Sequence, residues 1–175
     1  MCARCQRQLL ERADHGCRRS NRRRDDETGG RLRVNRLTAD EIRGLYQVRA
    51  ALEGLAATNI IRSPRRGDAV AALRAALVRL AGSESDFRTK VEADLAFHLL
   101  LCELAENPML VESWRHLEGR IRISIMSHDA TRLPGIMSED RHAAIVDAVE
   151  QGDIEATRRI VDEHMATAAD LYAAG

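Results

Sequence analysis

From Leu37 onward, apolar residues return every three to four positions, the period of helices that bury one face. Thr38 and Glu41 have capping-box spacing and Leu37 can staple onto Ile42, so the first helix is predicted to start at about residue 39. Its inward stripe reads Ile42, Leu45, Arg49, Leu52, Ala56 and Ile60, with a cation in the middle. Ser63-Pro64 and Gly67 mark a turn, and a second helix ends at Gly82. A third helix follows Ser83 to Ser85 and stops near Asn107-Pro108, where Asn107 caps a fourth with proline at its first position. Pro134-Gly135 precedes a fifth helix capped by Ser138. Gly152-Asp153 breaks the chain before a sixth capped by Asp153. Helices throughout, joined by short loops and with no period-two run, predict an all-α antiparallel six-helix bundle over residues 37–175.

Within those stripes, four polar residues stand where apolar ones are expected. Asp94 and His98, one helical turn apart, fall inside the stripe Val91, Leu95, Leu99, Cys102 of the third helix. His142 begins the fifth helix's stripe His142, Ile145, Val146, Val149. His164 lies within Thr157, Ile160, Val161, His164, Ala168 and Leu171 of the sixth. A buried carboxylate is costly unless it is paired, hydrogen-bonded or bound to metal. Each histidine alone reads as an ordinary core or rim residue. Together, one Asp and three His from three helices suit Zn²⁺, with Ni²⁺, Mn²⁺ or Fe²⁺ also compatible. Arg49 has a simpler reading as well, an ion pair with Glu53 one turn on or a side chain snorkelling past the core edge.

Composition sharpens this picture. Hydrophobic residues make up 45% of the 175-residue chain but aromatics only 3%, which favours helices packed through aliphatic contacts. With no apolar run long enough to span a bilayer and no secretory signal, the chain is expected to be cytoplasmic and to have no membrane partner. The net charge of zero conceals an uneven spread. Residues 1–36 carry eleven arginines against five acids, and the remainder is acidic by the same margin. This Arg-rich segment lacks helical period and reads as solvated linker. Cys2, Cys5, His15 and Cys17 have a spacing superficially like a zinc knuckle, without a fold-forming pattern around them, and Cys102 reads as a small core residue.

The order LYQVRAALEGLAA, DLAFH, ENPML, RHAAIVDAVEQGD and DEHM resembles the FCD effector-binding domain of GntR-family transcription regulators, in the FadR branch. The resemblance covers roughly residues 37–175, and its six helices are closer to the shorter, VanR-like type. It implies a divalent metal on Asp94, His98, His142 and His164, and a small carboxylate effector held beside it by Arg49, with Arg120 or Arg122 adding to the grip. It also implies a homodimer that passes the effector's influence to paired DNA-reading domains.

Such regulators carry a winged helix-turn-helix before this domain. Residues 1–36 show neither a recognition-helix stripe nor a winged-helix core, so that reader is expected to be missing or corrupted here. DNA is therefore expected as a partner of the full-length regulator. A metal-dependent enzyme acting on a small organic acid is the competing reading, because a metal with an open position can activate water. The stripes supply no second inward carboxylate as a general base, which counts against it.

Overall fold

The computed structural model describes residues 36–83, 86–128 and 135–174. They belong to one compact unit, Asn35–Gly175. Residues 1–35, with the Arg-rich segment, its cysteines and the expected remnant of a reader domain, lie outside the described residues. The elements are α1 (Ala39–Arg62), α2 (Arg66–Ala81), α3 (Phe87–Glu103), α4 (Pro108–Met126), α5 (Glu139–Gln151) and α6 (Ile154–Ala173). They form the expected antiparallel all-α bundle, and no strand occurs among the described residues.

The helix starts follow local chemistry. Thr38 Oγ1 accepts from the Glu41 N–H, and the Glu41 carboxylate accepts from the Thr38 N–H at 2.8 Å, closing the capping box. Asn107 caps α4 and Asp153 caps α6 through their side chains. Asp86 caps α3, which follows the serines as expected, by accepting from the Thr89 N–H. Two local expectations need correcting. Helix α3 ends at Glu103, a turn before the expected stop near Asn107-Pro108, and Glu106 beyond it takes a φ of 52°, off the helical path. Ser138 stands at the start of α5 but makes no side-chain cap bond; its carbonyl is engaged by His142 instead. Gly152, at a φ of 83°, closes α5 in the left-handed conformation that glycine adopts without strain.

The first helix of the bundle is its axis: α1 packs most extensively on α6 and also touches α2, α3, α4 and α5. Its buried face comprises Ile42, Leu45, Tyr46, Arg49, Glu53, Ala56, Ala57 and Ile60, while Leu52 is only half-buried. Glu53 thus occupies the depth that the stripe assigned to Leu52. Trp114, Phe97, Leu101, Ile121, Ile145 and Met165 complete a core that encloses the polar residues of α3, α5 and α6. None of the described helices is long and apolar enough to cross a membrane.

Candidate metal centre

Asp94 and His98 from α3, His142 from α5 and His164 from α6 come together in the interior, each at most 7% exposed. The sequence-predicted ligand set is therefore one cluster. Asp94 Oδ1 lies 3.1 Å from His142 Nε2 and 4.0 Å from His98 Nε2. The two Nε2 atoms are 3.2 Å apart. One nitrogen from each of the three imidazoles falls within 4.8 Å of the others. The Nδ1 of His164 is buried without a hydrogen-bond partner.

The outer edges of the rings decide what their inner edges can do. His142 Nδ1 lies 2.8 Å from the Ser138 carbonyl, which only accepts, so Nδ1 carries the hydrogen. His98 Nδ1 lies 2.6 Å from Glu53 Oε2 and donates in the same way. In the neutral rings both Nε2 atoms are then bare lone pairs, facing each other and the Asp94 carboxylate. Three acceptors converge with no hydrogen between them, an arrangement that repels until a cation enters. Burial pushes His98 below its ordinary value and His164 well below, which keeps those two rings neutral donors. The donor set and its hydrogen-bonded outer edges fit a divalent transition metal.

The carboxylate of Glu53 is the residue the stripe analysis missed. It is fully buried and accepts from Arg49 Nε at 3.1 Å, Trp114 Nε1 at 3.0 Å and His98 Nδ1. Burial alone would raise its pKa, but the His98 ring and the Arg49 charge beside it, with the hydrogen bonds from His98 and Trp114, hold it down at about 2. A second inward carboxylate therefore does exist, contrary to expectation, though three donors occupy it and it has no exposed edge. The available signal was the Arg49–Glu53 spacing itself: an arginine inside an apolar stripe needs an acid one turn away. Asp94 is also held below its ordinary value: burial would raise it, but the imidazoles against it and the nearby Arg49 charge favour the carboxylate.

Arg49, 2% exposed, spends its Nε on Glu53 and rests its guanidinium 4.9 Å from the Tyr46 ring centre. Its Nη2 is buried with no partner. Beside it lies a cavity of about 10 Å³, lined by Arg49, Asp94, His98 and His164, with Tyr46, Tyr172, Met137 and Met165 closing the walls. That is room for about one water. Larger recesses lie elsewhere: one of about 640 Å³ at the α3–α4 turn is lined by none of the cluster residues.

Arg120 and Arg122 are not at the cluster. Arg120 is exposed on α4, near Glu41, and Arg122 pairs with Glu92 and Glu118 toward the surface. Ile121, Ser124 and Ile125 hold the inward face of α4, and each arginine is one residue, about 100°, away from Ile121. Cys102 is a free, buried thiol whose pKa burial pushes up, as a small core residue should be.

The FCD domain family matches this chain over residues 44–167. The chain belongs to that family. Over 135 residues this FCD domain is 27% identical to a Paenarthrobacter nicotinovorans protein named "Probable D-xylose utilization operon transcriptional repressor", across 77% of the chain and 59% of the relative. A Micromonospora viridifaciens relative, named as a transcriptional regulatory protein, NedR, is 34% identical over 85 residues, 47% of the chain and 59% of that protein. The chain thus spans about three fifths of the length of these curated relatives. The Escherichia coli protein McbR/YncC superposes with a TM-score of 0.62 over 76% of the chain and 65% of that protein, at 19% identity, and so shares the fold. The chain is accordingly an FCD domain of the transcription-regulator type, and the relatives carry names of regulators, not of enzymes.

Proposed function

We propose that this FCD domain is a metal-dependent sensor of a small carboxylate. Asp94, His98, His142 and His164 hold one divalent transition metal, zinc foremost, and Arg49 Nη2 takes a carboxylate oxygen of the effector beside it. A bound metal with a free position supplies a Lewis-acidic site for the effector's second oxygen. The observation that carries this reading is the coincidence of two unmet demands at one cavity. Three lone-pair donors lack a cation, and a buried guanidinium nitrogen lacks an acceptor. Met137 and Met165 line this cavity, and their flexible, unbranched side chains would have to move to admit an effector. In the cytoplasm the effector shifts a homodimer between two arrangements, and that shift alters DNA binding by the full-length regulator.

Glu53 is the group an enzymatic reading would need. Its lone pairs are committed to Arg49, His98 and Trp114, so it orients His98 and cannot deprotonate a water. The test is elemental analysis of purified protein before and after chelation, followed by calorimetric titration with carboxylic acids. About one metal per chain is expected, with acid binding that Arg49→Ala abolishes while the metal stays. Metal-free protein that cannot be reconstituted sinks the proposal, as does an Arg49→Ala variant with full affinity.

A further inference from the structure

We infer that the outer face of α1, with the adjoining edge of α6, is the surface on which a second copy of this chain docks, around a two-fold axis at the level of Ala51. The inference rests on the homodimer of the sensor reading above and names its interface; neither metal nor effector enters the argument. Between Gly44 and Ile61 the only charged residues of α1, Arg49 and Glu53, are both buried. Over that length the solvent-facing side of the helix therefore carries no charge, in a chain that is 31% charged. Val48 and Leu55, two turns apart, instead stand 48% and 46% exposed, with Ala51 exposed between them. A surface helix ordinarily turns charged and polar residues outward, and an apolar stripe rimmed by charge marks a contact surface. The stripe borders a groove of about 460 Å³ between α1 and α6, whose rim carries Arg158 and Asp162.

Charge and register commit this face to a second copy. Arg158 and Asp162 are exposed one turn apart on α6, yet neither has an ion-pair partner among the described residues. The two helices run antiparallel. Arg43 of α1 meets Asp170 of α6 at 4.0 Å, and Arg158 Cγ lies 3.9 Å from the place a Cβ on Gly54 would take. That register sets Arg158 level with Gly54 and Asp162 level with Ala50, so the two charges are centred at Leu52. Val48 and Leu55 are centred between Ala51 and Leu52, at the same height. One two-fold axis running across both helices there lays Val48 on the partner's Leu55 and sets Arg158 opposite the partner's Asp162, each twice. Such self-complementarity is what a two-fold interface requires. A partner of a single charge sign would instead leave one of the two charges opposed.

Sedimentation velocity of the full chain over a concentration series tests this, with a dimer expected for the wild type. Leu55→Glu sets a charge in the apolar centre of the contact, and Asp162→Arg sets arginine against arginine twice. Each should weaken dimerisation about tenfold or more. The double exchange of Arg158→Asp with Asp162→Arg restores opposite charges across the axis and should recover most of the affinity. All these positions are exposed, so far-UV circular dichroism and zinc content should match the wild type. A Leu55→Glu variant that dimerises as well as the wild type, or a double exchange no tighter than Asp162→Arg alone, overturns the inference and leaves the sensor reading intact. A monomeric wild type overturns the inference together with the homodimer of that reading, and metal and carboxylate titrations then decide what remains of the sensor.

Discussion

Glu53 ties the site to the fold at the level of single residues. One carboxylate neutralises Arg49, anchors the Trp114 indole and fixes the His98 ring with its Nε2 turned inward. Glu53→Gln keeps the shape but leaves Arg49 as an unpaired charge in the core, and amide hydrogens now face donors. Breaking a buried pair in this way costs about 3–5 kcal/mol, so denaturant unfolding should show a loss of that order; a change within about 0.5 kcal/mol would mean that the network contributes little. The histidines add a pH dependence with a definite sign. Burial lowers the folded-state values of His98 and His164 below the ordinary 6.5, so below that pH the unfolded chain takes up protons that the native state refuses. Metal-free protein should therefore hold its stability above about pH 6.5 and lose it progressively as the pH falls further. Urea midpoints measured across that range check it, and a midpoint that rises on acidification contradicts the assignment of neutral buried rings.

At the scale of elements, the caps separate what side chains do from what backbone does. Thr38 closes a capping box, so Thr38→Ala should cost about 1 kcal/mol. Ser138 occupies an equivalent position on α5 but contributes only its carbonyl, which alanine retains. Ser138→Ala should stay within about 0.5 kcal/mol of the wild type. A Ser138→Ala loss as large as that of Thr38→Ala would show that the hydroxyl caps α5 in solution. Both serine and threonine precede an apolar period in the sequence, which is why pattern alone could not rank them. The same limit explains α3: the Asn-Pro pair correctly starts α4, but the left-handed turn at Glu106 depends on a non-glycine residue that carries no sequence signal. Helical period did place Asp94, His98, His142 and His164 inward, because four positions on three helices each shared a face with aliphatic neighbours. It missed Glu53, since burial of an acid is decided by the partners on other helices, here His98 and Trp114. Arg120 and Arg122 came from the resemblance, and packing turns both away from the cluster.

For the whole molecule, the proposed metal would be a cross-link between helices far apart in the chain. Its ligands would come from α3, α5 and α6, while α1 packs most extensively on α6 through a largely apolar face. Removing the metal should therefore leave the helices in place and weaken their mutual fixation. A ligand that binds only the native state stabilises it by about 4 kcal/mol at a thousandfold excess over its dissociation constant. In a domain of this size a loss of that order lowers the melting temperature by roughly 8–16 °C. Chelated protein is expected to keep its far-UV circular dichroism at 20 °C and to melt lower, with zinc restoring the original temperature. His142→Ala should melt as the chelated protein does and gain nothing from zinc, because it removes the nitrogen closest to both Asp94 and His98. Identical melting of native, chelated and His142→Ala protein would mean that the four inward residues form a polar core without a metal. The proposal for the effector would then lose the Lewis-acidic half of its grip and leave Arg49 alone to hold a carboxylate.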